Sequence, residues 1–216
     1  MSSPRLPSPT VPVDGPAVRQ RILHQARTHF FAHGYSTLTM ADLATELGMS
    51  KKTLYVHFAG KDAIVGALIE DLGAEVRDAA EKILGNPALG FAEKLHGFVP
   101  GMVERLSALD PRSVRDLQRY APALHGKMDD VRRKNIPYIF GRLVGEGQRA
   151  GFVRADLSVE FAIEFFLQAT QGLLLPATLE RRRLAPRDVI AQSIDLFFGG
   201  LLTPAGHKHY EKLFPH

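Results

Sequence analysis

The sequence predicts an all-α protein: a small N-terminal three-helix unit followed by a larger helical body, about nine helices in all. Three features carry that prediction. Apolar residues recur at i, i+3, i+4 and i+7 through most of the chain. No alternating run is long enough to build a sheet. Helix starts are marked by a capping residue or a proline, and several helix ends by glycine.

The first stretch, "MSSPRLPSPTVPVDGP", is rich in Pro and Ser and predicts a disordered arm over residues 1–16. It has no apolar h-region, so it does not read as a secretory signal. A first helix is predicted over 17–33, with Ile22, Leu23, Ala26 and Phe30 on one face and Gly34 at its end. Thr39 opens a second, with Asp42 three residues on as a variant capping box and Met40, Leu43, Ala44 and Leu47 facing inward. Gly48 ends it. Ser50 caps a third helix that runs to about Phe58 and points Leu54 and Phe58 inward.

A fourth helix starts near Lys61 and carries Val65, Leu68, Ile69, Leu72 and Val76 on one stripe. It continues out of the small unit into the body with no flexible linker, so movement in one can reach the other. Gly66 and Gly73 weaken it by about 1 kcal/mol each against Ala, and close packing is the expected reason for at least one.

Farther on, Asn86-Pro87, Asp110-Pro111 and Ala121-Pro122 each read as a cap followed by Pro at the first helical position. Pro137 should break or kink the segment 122–150 near Ile136. Ser158 caps a helix predicted over 159–178, and Pro186 opens a last long one over 187–200. The tail from Thr203 reads as loose. The expected division is 17–61 for the small unit, 62–202 for the larger body and 203–216 for the tail.

Composition narrows the function. The 216 residues are 45% hydrophobic and 23% charged, ordinary for a globular chain with a substantial core. The chain has no cysteine, which excludes disulfides, thiolate nucleophiles and cysteine-bound metals and fits a cytoplasmic setting. No apolar run reaches the roughly 18 residues of a membrane span. Residues 1–61 hold seven Lys/Arg against three Asp/Glu, and residues 62–216 hold twenty of each. The whole formal charge of +4 thus sits in the first part, which points to an anionic partner for that end.

The third helix shows where that partner would dock. Lys51, Lys52, Thr53, Tyr55 and His57 face outward with no Asp or Glu among them. A solvated face normally mixes signs. Two helices joined by about three residues containing Gly is the helix-turn-helix layout, whose second helix enters the major groove of DNA. Lys51 and Lys52 suit guanine acceptors or phosphate, and Thr53 suits phosphate or a thymine methyl. Tyr55 and His57 suit flanking phosphates. Thr39 and Ser50 sit at helix N-termini, where free N–H groups favour an anion, and Lys61 adds a further cation. Met40 either touches a thymine methyl or packs.

The stretch "LTMADLATELGMSKKTLYVHFAGKDAIVGALI", and "TLYVHF-x-x-K" after a Gly-x-Ser joint above all, resembles the TetR-type (TetR/AcrR) transcriptional regulators. The resemblance covers residues 17 to about 70. Beyond it only helix lengths and spacing agree, together with "GFVRADLSVE" as a turn into the penultimate helix. It implies a homodimeric DNA-binding protein, usually a repressor, released from a near-palindromic operator by a small molecule. It also implies that Thr39, Lys51, Thr53, Tyr55, His57 and Lys61 contact operator DNA. Lys52 stands where Gly or Pro is common, and Met40 where a polar or Arg contact often occurs.

For the effector, Phe98, Met102, Leu106, Leu117, Tyr120 and Tyr138, with Phe91 and Phe140, form a set able to line an apolar cavity or simply to fill the core. Phe165 joins that set from a later helix. Asn135, Gln168 and Gln171 are the candidate polar anchors. The last two long helices are too apolar for one body to cover, which implies a four-helix interface between two copies. Its expected residues are Phe161, Gly172, Ile190, Ile194 and Phe197.

Several signals lead elsewhere and are weaker. "GEGQRAG" mimics a dinucleotide fingerprint but follows helical spacing instead of a strand. Arg181-Arg182-Arg183 reads as a helix end whose dipole favours cations. His207, His209 and His216 lack a carboxylate arrangement for a metal, and no cofactor is implied. A phosphate-binding loop, an HExxH pair and a nucleophile elbow are all missing from the sequence, so an enzyme is not expected. An enzyme of unrecognised type on a helical fold, and an architectural DNA binder without effector, are the competing classes.

Overall fold

The computed structural model describes residues 15–107 and 111–213, with only the backbone at 106, 107, 111 and 112. Eleven helices follow in order among these residues: α1 (Gly15–His33), α2 (Met40–Glu46), α3 (Lys51–His57), α4 (Lys61–Leu84), α5 (Phe91–Ser107), α6 (Pro111–Tyr120), α7 (Pro122–Arg149), α8 (Val159–Leu173), α9 (Pro176–Arg182), α10 (Pro186–Leu201) and α11 (Pro204–Leu213). The described residues contain no strand, only an isolated bridge between Val153 and Leu202.

Two elements raise the count above the nine expected. Pro176 closes the segment predicted over 159–178, because it cannot donate into the helix, and it opens the separate α9. The tail is not loose. Thr203 bonds back through its N–H to the Phe152 carbonyl at 2.9 Å, and its hydroxyl accepts from Gly206 N at 3.0 Å. That cap starts α11, which lays His209 against Phe152 and packs Tyr210 on the body core.

Two other expectations fail locally. Asn86 does not cap a helix at Pro87. Its side chain accepts from Ala88 N at 3.0 Å and closes a turn, so α5 begins at Phe91. Of the break or kink expected at Pro137, the break does not occur: α7 runs continuously past it. The lost rung costs about 3 kcal/mol, and the packing of Phe140, Leu143 and Val144 against neighbouring helices offsets it. The predicted Asp110 cap, most of the arm at 1–16, Leu106 and His216 lie outside the described residues or side chains.

The caps of the small unit form as their residue types dictate. Thr39 Oγ1 accepts from Asp42 N at 3.1 Å and donates to Asp42 Oδ2 at 2.6 Å. Ser50 Oγ accepts from Thr53 N at 3.0 Å. Gly48 takes φ +64° in the turn between α2 and α3, where a side chain would be strained.

Two apolar clusters hold the chain. One joins α1, α2, α3 and the start of α4, around Ile22, Leu38, Leu43, Leu54, Ile64 and Val65. It does not close at residue 61: Leu117 from α6, Ala121, and Leu124 from α7 complete it. Asp116 on α6 also accepts from Ser36 N at 3.0 Å and Ser36 Oγ at 2.5 Å. The other cluster centres on Phe140, whose ring meets Phe166 at 4.7 Å, Phe197 and Phe198 at 5.6 Å each, and Phe98 at 6.1 Å. These rings tie α5, α7, α8 and α10 together. α4 runs through both clusters and crosses α7 at Gly73, where a Cβ would run into Val131 Cγ1. Asn135 Nδ2 donates to the Gly73 carbonyl there at 2.7 Å.

Candidate nucleic-acid interface

α3 is seven residues long and buries Leu54, with Phe58 at its C-cap. That fixes its outward arc. Lys51, Lys52 and Thr53 are exposed, Tyr55 is 53% exposed, and His57 is half-buried. Neither lysine has a carboxylate partner among the described residues.

The acids of this unit are all occupied elsewhere. Asp42 caps α2 with Thr39, and Glu46 accepts from Gln25 Nε2 at 2.9 Å. Asp62 accepts from the Tyr35 hydroxyl at 2.6 Å. Burial, then the bond to Asp62 and its charge, push the Tyr35 phenol up to about 12. The two lysines therefore stand uncompensated, which is the arrangement a polyanion selects.

Not every expected contact is equally free. Ser50 and Thr53 share a hydroxyl–hydroxyl bond of 2.9 Å, so each keeps part of its capacity. Lys61 is half-buried, with Nζ 3.4 Å from the Tyr35 carbonyl and 4.1 Å from its ring centroid. Met40 is half-buried and packs against the core of the small unit. Two residues escaped the sequence reading. Val56 is 76% exposed in the middle of the α3 surface. Its signal was present, since it lies two residues from each inward position, Leu54 and Phe58. Arg19 sets its guanidinium 5.0 Å from the Phe58 ring, beside the end of α3. Its place at the start of α1 offered no clue.

The expected effector set does not come together. Phe98 and Met102 are buried in the body and line a cleft of about 490 Å³ between α4 and α5, with Val76, Ile83 and Arg105. Leu117 is fully buried in the other cluster, and Tyr120 is exposed on α6. Asn135 is spent on Gly73 and Arg77. Tyr138 donates on the surface to Glu81, which Arg142 also engages, and these bonds hold the Glu81 carboxyl below its usual range. Gln168 and Phe165 face outward on α8, so neither reaches the cleft.

The expected dimer set also splits. Phe161 is 60% exposed and Gly172 is exposed, but Ile190, Ile194 and Phe197 are buried in the body's own core. They take the inward side of α10 because the cluster around Phe140 needs them. On the outward side α10 exposes Leu196 at 76%, and α8 exposes Phe165 at 60%. Leu173 and Leu175 are also exposed, at 39% and 40%.

A short capped helix with uncompensated cations, set by a Gly-containing turn on a three-helix unit, defines a helix-turn-helix DNA-binding protein. Residues 22–68 match the model of "Bacterial regulatory proteins, tetR family". The chain is 23% identical over 192 residues to the HTH-type transcriptional repressor DhaR of Mycobacterium sp. (strain GP1), covering 86% of this chain and 92% of that one. It is 27% identical over 195 residues to the HTH-type transcriptional regulator UidR of Escherichia coli (strain K12), covering 86% and 93%. Its fold matches the crystal structure of a transcriptional regulator from Cytophaga hutchinsonii ATCC 33406 with a TM-score of 0.66 at 19% identity, covering 88% of this chain and 100% of that one. Together these similarities support a TetR-type transcriptional regulator. Among the described residues, no helix is long and apolar enough to cross a membrane.

Proposed function

We propose that this regulator is a cytoplasmic homodimeric repressor, released from a near-palindromic operator by a small, largely apolar effector. The observation that carries the reading is the α3 face, which turns Lys51 and Lys52 outward while every acid in the described part of the small unit is bound elsewhere. Residues 17–61 act as the DNA reader and 62–202 as the sensing and pairing body. Thr39, Ser50, Thr53, Tyr55, His57 and Lys61 hold phosphates, and Lys51 and Lys52 reach base edges or phosphate. Met40 supports α2 from within. Repression is the reading supported by the similarity to DhaR, a transcriptional repressor.

Two copies meet through the outward side of α8 and α10, with Phe161, Phe165, Gly172 and Leu196 at the centre. Two-fold symmetry then sets the paired α3 helices on successive major grooves, about 34 Å apart or a multiple of it. The α4–α5 cleft is the effector site in this reading, because its size falls in the small-ligand range and its floor is apolar. Glu75 lines that cleft and also takes a two-pronged ion pair from Arg27 on α1, at 2.5 and 3.1 Å. An occupant of the cleft thus presses on a residue that holds the DNA-reading unit.

The test is a mobility-shift titration with operator DNA selected in vitro from random duplexes. A palindromic consensus, a dimer in sedimentation at micromolar concentration and loss of binding in Lys51→Ala are the expected results. A monomer with full affinity, or an unaltered shift in Lys51→Ala, would reject the assignment. Filling the cleft by Ile83→Trp should leave DNA binding intact and abolish effector-driven release.

A further inference from the structure

Val56 gives the operator a chemical signature. α3 advances about 100° per residue. Taking Lys51 as zero, the inward residues Leu54 and Phe58 lie at about 300° and 340°. The outward direction is therefore about 140°, and Val56 lies on it. Lys52 and Thr53 flank it at about 100° and 200°, Tyr55 and His57 fall to the sides, and Lys51, in the first turn, lies nearest the inward direction of the three. Exposure agrees with the angle, since Val56 is 76% exposed and Tyr55 53%. The residue aimed most directly away from the protein is thus a branched aliphatic one.

Such a side chain is out of place on a solvated helix and idle against phosphate. It has no donor or acceptor. Val is also a poorer helix former than the residues that suit an exposed position. In a major groove one base carries an apolar group, the 5-methyl of thymine. The other base edges there present donors and acceptors that Val cannot satisfy, and burying them against it would cost free energy. Met40, the other apolar residue weighed for this task, is half-buried and packed on the core. Thr53 adds a second methyl beside Val56, although its hydroxyl is engaged with Ser50.

Resting on the DNA-reading role proposed above, we propose that each operator half-site holds a thymine whose 5-methyl group packs against Val56. Lys52, one turn back on the same arc, faces the purine acceptors next to it. Specificity at that thymine is then apolar, and it does not respond to salt as the phosphate contacts do.

The experiment is a double-mutant cycle on the selected operator. Each thymine of one half-site is replaced in turn by uracil, which removes only the methyl. Wild type and Val56→Ala are titrated with every duplex at fixed salt. One uracil position should weaken wild type about fourfold, the value of burying one methyl group. At that position Val56→Ala should bind thymine and uracil duplexes alike. Placing 5-methylcytosine there, opposite guanine, should keep part of the wild-type preference over plain cytosine. Circular dichroism checks that Val56→Ala stays folded, which its exposed position favours. Equal thymine-to-uracil ratios for wild type and Val56→Ala at every position would overturn the assignment while leaving the regulator reading standing. If no duplex is bound specifically, both fall.

Discussion

α3 turns Lys51, Lys52 and Tyr55 outward with no acid among them, whereas α8 and α10 turn out Phe161, Phe165 and Leu196. Each face departs from an ordinary surface in a different direction. The first is charged without compensation, so its attraction for DNA is coulombic and weakens as salt rises, because releasing condensed counterions then gains less free energy. The second is apolar without cover, so its attraction is for another apolar face and changes little with salt. The homodimeric DNA reader proposed above needs both kinds of surface. Salt separates them in one experiment.

The largest expected effect comes from breaking the apolar face. Phe165→Asp combined with Leu196→Asp should give a monomer in sedimentation. Operator affinity should fall on the order of a hundredfold or more, since the second half-site no longer adds to the first. The charged face comes next. Lys51→Ala and Tyr55→Ala should each cost about 1–3 kcal/mol of operator binding in a mobility-shift titration, with dimerisation unchanged. Raising salt from about 50 to 200 mM should weaken wild-type DNA binding steeply and leave the sedimentation coefficient of the free protein where it was.

Gly73→Ala tests the helix that joins the two faces. The new methyl group meets Val131 Cγ1, so denaturant unfolding should show a loss of about 1–3 kcal/mol. Effector-driven release should suffer more than operator affinity does. Tyr35→Phe is the smallest change, about 1 kcal/mol at neutral pH for one hydrogen bond. The folded phenol titrates near 12 and an unperturbed one near 10. Its contribution is therefore complete below pH 10 and lost as pH rises toward 12. Wild type should lose more melting temperature than Tyr35→Phe across that window.

The sequence was most legible where local chemistry decides structure. Thr39, Gly48 and Ser50 are caps and a turn residue, and their bonds form within three or four residues. Ser158 likewise caps α8 through Phe161 N. Legibility failed where the deciding partner is distant. Ile190, Ile194, Leu196 and Phe197 are all apolar, and only the position of Phe140 determines which of them turn inward. Leu117 looked like a body residue and serves the small unit, because α6 folds back across α1. Tyr120 and Tyr138 are aromatic at helical spacing yet sit on the surface, one under Arg119 and one beside Arg142. The α11 cap is local, Gly206 N donating to Thr203 Oγ1 with Pro204 between, but the bond that docks it runs to Phe152, about 50 residues earlier, and no local rule announces that. Val56 was legible by position, two residues from each of Leu54 and Phe58, but its side chain carries no donor or acceptor to mark it as a contact.

The crossing at Gly73 divides α4 nearly in half, with Lys61 at one end and Leu84 at the other. At 1.5 Å per residue each arm is about 17 Å long. In the effector-driven reading proposed above, α4 would tilt about Val131 and Asn135 as fulcrum with equal arms, and a sideways push at the cleft end would return at Lys61 with similar size and opposite sign. No amplification is built in. A tilt of only a few degrees shifts each end by about 1 Å. In a matched pair of subunits both reading heads swing together, so their separation changes by about twice what either end moves.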